Sequence, residues 1–542
     1  MKLSSLKKFE KFITVALVCM VMTSIGLITA WKITTYNNSE EEKTYVSSST
    51  QNIKNETELA KKQDFKPKNC TLNQSLPDLT FVKENGDNLT LSSMRGKIVV
   101  LNYWASWCPY CHKELEQASE IKAMLSEYPD VEYWLVDKLD TPKETKEQAL
   151  AYLKENKIPF RTVFDEDIRV YKQLGIKVVP TTLIIDEKGV LKAWDYGGNL
   201  NVGVLKAKID YVKNGASYGV YNFIDQQLTN EDGGIRTNYL QEKDTSLKYT
   251  DVLSESQGLM MEYAVIIKDK VLFEDSLKYI TNRMRKDPLT AWVVTDKGAS
   301  RVNSSLDDLR IFRVMTKADE LWGGYSDKLE NYARALSHYN TQNQNLVNEY
   351  DFKHNKKSKQ LKLCFADFEA LELLSKRGAQ WEKVYQNSIS TVEKGYISDE
   401  FPLYYSQYDY SKKTYIQDDI NMSEGMVTLL NLASIGRLQP KTVEWIKTAL
   451  EGDGIFARYK TDGSIVEGYR YESTAIYGLV CMIAQTIGDE TLANKALAKM
   501  EAMRIFDSTN KLDGAFGNAD GTGIYSFDQC IALLTYSKYQ RK

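Results

Sequence analysis

At 542 residues the chain is long enough for two or more domains, each with its own core. Its 70 basic and 73 acidic residues leave a formal net charge of -3, which excludes the basic excess of a general nucleic-acid binder. Only three histidines are present and no second cysteine pair is spaced to help, so neither a zinc site nor any other cofactor is expected.

Lys2, Lys7, Lys8 and Lys11 precede an almost uninterrupted apolar run over residues 12–31. A run of about 20 apolar residues can cross a bilayer. Lysines before it and Glu40, Glu41 and Glu42 beyond it predict a cytoplasmic N-terminus with the rest of the chain outside. A cleaved signal peptide is the rival reading. No small-x-small cleavage site is evident, and Val18 ahead of Cys19 suits lipoprotein processing poorly. The segment 1–33 is therefore read as a single-pass membrane anchor. Residues 34–70, rich in Ser, Asn, Thr, Glu and Lys, are read as a solvated linker. Cys70 at its end is read as an unpaired, inert thiol.

Residues 71–214 alternate strand and helix signals. The apolar run Ile98-Val99-Val100-Leu101-Asn102-Tyr103 predicts a buried strand. It leads into Trp104-Ala105-Ser106-Trp107-Cys108-Pro109-Tyr110-Cys111-His112 and a helix start at Lys113. Two cysteines so placed can alternate between dithiol and disulfide. Unpaired N–H groups and the dipole at the helix N-terminus favour a Cys108 thiolate, and Cys111, one turn on, can resolve a mixed disulfide. Cys-x-x-Cys-His also attaches c-type haem, and a purely structural disulfide is possible, although so short a loop gains little chain entropy. Further on, Pro180 in Val179-Pro180-Thr181 opens a strand, which suggests a turn or cis bond beside the site. Strands are predicted over 131–136 and 160–164 and helices over 143–156 and 205–213, with another helix stopping at Gly175. This is an α/β pattern around a central sheet.

With Leu91-Ser92-Ser93-Met94-Arg95-Gly96-Lys97 ahead of the strand, the Trp-Cys-x-x-Cys site and Val179-Pro180-Thr181 in order, residues 76–214 resemble a thioredoxin-fold, extracytoplasmic thiol-disulfide oxidoreductase domain. The resemblance implies catalytic Cys108 and Cys111, a cis Pro180 packed on their disulfide at the substrate-binding surface, and a partner protein for thiol exchange.

Residues 215–542 change character. Helix-length amphipathic segments recur at 259–267, 309–321, 329–338, 365–375, 422–432, 442–450, 474–487, 492–503 and 526–536. That many helices predict an all-α toroid or bundle. Three carboxylate-bearing stretches stand at predicted helix starts. Ser254 is expected to cap a helix and place Glu255 in its first turn. Asp307 and Asp308 follow Ser304 and Ser305. Asp418, Asp419 and Glu424 precede or enter a third apolar helix. Each alone reads as helix capping.

Together and in order these stretches resemble glycoside hydrolase family 8, an (α/α)6 barrel of inverting, endo-acting enzymes on β-1,4-linked glucans, xylans or chitosan. Ser254-Glu255-Ser256-Gln257-Gly258 matches its Ser-Glu-x-Gln-Gly motif, which makes Glu255 the general acid. Asp308 matches an Asp of its Asp-rich helix motif, with Leu306 in place of a usual Asp. The base stays open between two residues. Asp419 keeps the acid ahead of a helix but has Met422 where an Arg usually follows. Glu424 suits the register of the apolar helix. Inversion needs one protonated and one ionised carboxyl about 6.5–9.5 Å apart, so Glu255 is expected to have a raised pKa, through burial or a nearby carboxylate such as Asp308. Trp292, Trp322, Tyr404, Tyr405, Tyr469 and Tyr471 are candidates to line a sugar cleft, and any one of them can equally be a packing residue. Cys364, Cys481 and Cys530 are read as small buried apolar residues.

The expectation is a multidomain, membrane-anchored extracytoplasmic protein that combines thiol-disulfide exchange with inverting hydrolysis of a β-1,4-linked polysaccharide. The alternative is an oxidoreductase whose helical domain is a catalytically inactive glycan-binding module.

Overall fold

The structure is a computed structural model that describes residues 66–242, 247–286 and 289–539. The predicted anchor and nearly all of the linker lie outside the described residues. Among the described residues, no helix is long and apolar enough to cross a membrane. They form two compact units, one running to Ala216 and taking in Phe506–Asn510, the other comprising Ser217–Ile505 and the residues from Lys511 onward.

The first unit is built on an eight-stranded sheet. Its strands are β1 (Gln74–Ser75), β2 (Thr80–Lys83), β3 (Asn88–Thr90), β4 (Ile98–Trp104), β5 (Val131–Asp137), β6 (Thr162–Phe164), β7 (Thr181–Ile185) and β8 (Val190–Tyr196), in the order β1-β8-β7-β4-β5-β6-β2-β3. β4, β5 and β6 run parallel, β7 adds antiparallel to β4, and β8 adds antiparallel to β7. The helices are α1 (Pro109–Leu115), α2 (Ala118–Leu125), α3 (Lys146–Glu155), α4 (Arg169–Leu174) and α5 (Val202–Asn214).

Every residue of β4 is buried because both faces of the sheet are covered. Ile98, Val100 and Trp104 pack with Leu205 and Ile209 of α5 on one side, while Val99, Leu101 and Tyr103 pack with Val170 and Leu174 of α4 on the other. A capping box between Thr145 and Gln148 starts α3 at Lys146, later than the polar stretch from 143 suggests. α4 stops at Gly175, whose φ of +65° suits glycine.

The second unit is helical: α6 (Ala216–Phe223), α7 (Ser254–Ile267), α8 (Lys270–Tyr279), α9 (Ser305–Trp322), α10 (Ser326–Tyr339), α11 (Phe368–Ser375), α12 (Ala379–Glu393), α13 (Met422–Ser434), α14 (Pro440–Glu451), α15 (Thr474–Thr486), α16 (Glu490–Glu501) and α17 (Ser526–Tyr539). Helices α7, α9, α11, α13, α15 and α17 each pack on the next, and α17 packs back on α7, closing an inner ring. α8, α10, α12 and α16 lie outside against α7, α9, α11 and α15. The inner helices bury most of their N-terminal residues, and in α7 and α9 these include polar and charged side chains such as Glu255, Gln257, Asp307 and Arg310. In α15 every residue from Thr474 to Ala484 is buried. α6, α8 and α12 have no counterpart among the predicted segments. α8 and α12 are outer helices with one narrow buried stripe. In α8 that stripe is Phe273, Ser276, Leu277 and Tyr279, and polar or exposed residues fill the rest.

Candidate functional site

Cys108 occupies the N-cap of α1 and Pro109 its first position, where a missing N–H costs nothing. Cys108 and Cys111 form a disulfide, and both are buried. The Cys111 N–H donates to Cys108 Sγ at 3.2 Å. The Val179–Pro180 bond is cis, and the Val179 carbonyl oxygen lies 3.4 Å from Cys108 Sγ. The side chains of Trp107 and Tyr110 flank the pair and stay exposed, with Lys143 Nζ 3.5 Å from the centre of the Trp107 ring. His112 stacks on Tyr152, and its Nε2 lies 2.7 Å from the Ser106 carbonyl oxygen.

Two acidic features behind the pair were not singled out in the sequence. Glu114, one turn beyond Cys111, is buried and accepts from Asn102 Nδ2 at 3.2 Å and from the Leu200 N–H at 3.3 Å. Burial pushes it up to about 7. Its place three residues after Cys111, on the same face of α1, was the available signal. Glu144 is fully buried and accepts from both the N–H and the hydroxyl of Ser106, each at 3.0 Å, which fixes the loop before the cysteines. Burial and the neighbouring Glu144 push Asp137, at the end of β5, up to about 9. Cys70 is a half-buried free thiol that burial pushes up to about 11.

In the helical unit the predicted cap of α7 is corrected. The short strand Val252–Leu253 pairs with Val293 and Val294 and runs straight into the helix, so Leu253 holds the cap position and no side chain caps it. Ser254 is already helical. Its hydroxyl donates to Asp307 Oδ2 at 2.7 Å, and its N–H donates to the Trp292 carbonyl at 3.0 Å. Glu255 follows, 2 % exposed, and its Oε2 has no hydrogen-bond partner among the described residues. Burial raises Glu255 well above the carboxylate range, and the charges of Asp307 and Glu424 add to this while Arg310 and Lys362 oppose it.

Of the two aspartates, the one acting on Glu255 is thus Asp307, not Asp308. Ser304 caps α9, which sets Asp307 toward α7, where Arg310 Nη1 also donates to it at 3.0 Å. Asp308, about 100° further round the helix, is taken up by three donors: the Thr290 N–H at 2.9 Å, Asn303 Nδ2 at 2.7 Å and the Tyr332 hydroxyl. Burial pushes Asp308 up to about 7.

Glu424 lies in the first turn of α13, which Asn421 caps. Its Oε1 accepts from Lys362 Nζ at 2.7 Å, and both side chains are buried. Asp418 accepts the Ser406 hydroxyl and is raised by burial. Asp419 is half-buried and makes no hydrogen bond among the described residues. Tyr405, beside Ser406, stacks on Tyr415 with ring centres 5.4 Å apart. Trp322 ends α9 and packs on Phe273, about 20 Å along the helix from Asp308 at 1.5 Å per residue, so the fold does not bring it to Glu255. Cys364, Cys481 and Cys530 are buried free thiols. Among the described residues, no group of three or more His, Cys, Asp or Glu is placed to hold a metal ion.

Residues 72–194 match the AhpC/TSA family. Over 116 residues the chain is 30% identical to the thiol:disulfide interchange protein DsbE of Escherichia coli (strain K12), a stretch that is 21% of this chain and 57% of that protein. Over 323 residues it is 26% identical to YdaJ of Bacillus subtilis (strain 168), covering 58% of this chain and 85% of YdaJ. A solved structure described as a novel alpha-amylase from Clostridium perfringens is 31% identical, with a TM-score of 0.56, covering 60% of this chain and 97% of its own. The chain carries a thioredoxin-like domain of the thiol-disulfide oxidoreductase type and a helical domain resembling glycoside hydrolases, and through the latter it belongs to the family of that Clostridium perfringens protein.

Proposed function

We propose that the helical unit, read as an (α/α)6 barrel, hydrolyses a polysaccharide with inversion, and that Cys108 and Cys111 carry out thiol-disulfide exchange beside it in the same chain. The supporting observation is the pair of opposed carboxyl environments. Glu255 is buried without a counter-charge on its own carboxyl, and Glu424 within its field is held by an ammonium. A buried acid with an unpartnered oxygen suits the general acid, and a carboxylate held by a lysine suits the general base. Glu255 gives its proton to the glycosidic oxygen as the bond to the anomeric carbon breaks. A water on the opposite face attacks that carbon and gives its proton to Glu424, and solvent then restores both groups. Asp419, half-buried and without a partner among the described residues, is the other candidate for the base.

The Ser-Glu-x-Gln-Gly resemblance favours a β-1,4-linked polysaccharide. An α-linked glucan is the second reading, because the 31% identical relative is described as an alpha-amylase. On the redox side, a Cys108 thiolate attacks a partner protein's disulfide, and Cys111 resolves the mixed disulfide. Residues 12–31 would anchor both units at the outer face of a membrane.

The test is reducing-sugar release by the full chain from carboxymethylcellulose, xylan, chitosan and amylose. Glu255→Gln should lower it by about 10²–10⁴-fold with thiol exchange unchanged, and Glu424→Gln and Asp419→Asn identify the base. Full activity in Glu255→Gln would sink the proposal. Binding without hydrolysis of any glycan would leave an oxidoreductase with a glycan-binding module.

A further inference from the structure

The glycoside hydrolase pattern has an Arg one turn after the acid ahead of the third helix, and this chain has Met422 there. A buried positive charge reaches the first turn of α13 from another element. Lys362 ends the short strand Gln360–Lys362, which pairs with Gln407–Asp409. Its backbone N–H donates to Asn348 Oδ1 at 2.6 Å, and its ammonium reaches Glu424 Oε1. Lys362 is 4 % exposed. A cation so deeply buried must be paired, and burial acts against the ammonium. The Glu424 carboxylate more than offsets that, so Lys362 is held above the ordinary lysine range.

Other groups face the same charge. Asp418 approaches from the segment before α13, Glu255 from α7, Glu349 from the neighbouring hairpin, and the Cys364 thiol lies two residues on. Glu255 in turn faces Asp307 and Arg310 from α9, Glu424 from α13 and Cys530 from α17. Lys362 is therefore the cation on the Glu424 side of the site, as Arg310 is on the Asp307 side. Glu424 Oε2 takes no hydrogen bond from the described residues, which leaves it open to a water.

We propose that Lys362 is a positioning residue for hydrolysis, whose ion pair keeps Glu424 ionised and aimed while Glu255 keeps its proton. This rests on the hydrolase reading above. Without the ammonium, two carboxyls in one dry, shared field cannot both ionise. Glu424 would take up a proton at neutral pH, and the attacking water would lose its base.

The experiment compares the full chain with Lys362→Met and with Lys362→Met/Glu424→Gln. It follows the pH profile of kcat and KM on whichever glycan the wild type hydrolyses, and thermal unfolding from pH 5 to pH 9. In Lys362→Met, kcat should fall by about 100-fold or more with KM little changed, and the acidic limb of the residual activity should move up by about one pH unit or more. Its unfolding temperature should drop more steeply with rising pH than that of the wild type, because a buried carboxyl now has to ionise. Adding Glu424→Gln should remove that extra pH dependence. An active wild type beside a Lys362→Met variant with an unmoved limb and an unchanged pH dependence of unfolding overturns the role of Lys362 alone. A wild type that hydrolyses no glycan overturns the hydrolase reading, and the catalytic role of Lys362 with it.

Discussion

Replacing Glu114 by Gln separates the cost of burying an acid behind the cysteine pair from the value of the hydrogen bonds that acid accepts. In the folded chain Glu114 is raised from an ordinary 4.5 to about 7. A carboxyl raised on folding favours its neutral form in the native state, so its contribution is fully present below pH 4.5 and is lost as pH rises through 7. The rise from 4.5 to about 7 corresponds to about 3 kcal/mol, all of it carried by the wild type at pH 8. Glutamine keeps the shape without the charge. Its amide nitrogen, however, faces one of the two donors, Asn102 Nδ2 or the Leu200 N–H, which costs about 1 kcal/mol. Glu114→Gln should therefore be less stable than the wild type by about 1 kcal/mol near pH 4.5 and more stable by about 2 kcal/mol at pH 8. Urea titrations of the oxidised full chain, read by hydrogen exchange of the β4 and α1 amides, report this unit by itself. A difference of the same sign and size at both pH values would refute the reasoning.

Three further outcomes follow from the site geometry. Asp307→Asn removes a negative charge that raises Glu255 and leaves Arg310 unpaired beside it, so the alkaline limb of the hydrolysis profile should move to lower pH. A limb that stays or moves up would contradict this. Asp308→Asn should lower stability by about 1–3 kcal/mol, because the amide cannot accept from all three of its donors, while KM stays nearly constant. A tenfold rise in KM at unchanged stability would instead place Asp308 against substrate. Cys111→Ser should accumulate a mixed disulfide between Cys108 and its partner protein, visible on a non-reducing gel, whereas Cys108→Ser should form none.

The thioredoxin-like unit was largely legible because its signals are local. One unbroken apolar run makes β4, a strand-to-helix junction carries the cysteines, and Pro180 stands at the head of β7. Glu114 is not legible because a glutamate near the end of a short helix reads as a solvent-facing charge until the fold lays β4 and the Leu200 segment across it. In the helical unit Glu255 was visible in its motif, but its surroundings were not. The choice between Asp307 and Asp308 turns on one residue of helix register, set by the Ser304 cap. Ser254 looked like a cap because sequence alone did not reveal that Val252–Leu253 pair as a strand right up to the helix. Lys362 and Glu424 are 62 positions apart, on a hairpin strand and a helix, and no periodicity links them.

The hydroxyls of Ser256 and Ser526 meet at 2.8 Å across the seam between α7 and α17, joining residues 270 positions apart. Closing a loop of that length costs about 5 kcal/mol on the (3/2)RT ln n scaling, so docking of α17 belongs among the latest and most sequence-distant steps of assembly. During synthesis the helix bearing Glu255 emerges early and its last neighbour in the ring emerges near the end. Until α17 docks, Glu255 lacks the neighbour that brings Cys530 beside it. Part of the burial that raises its acid form therefore arrives only with ring closure.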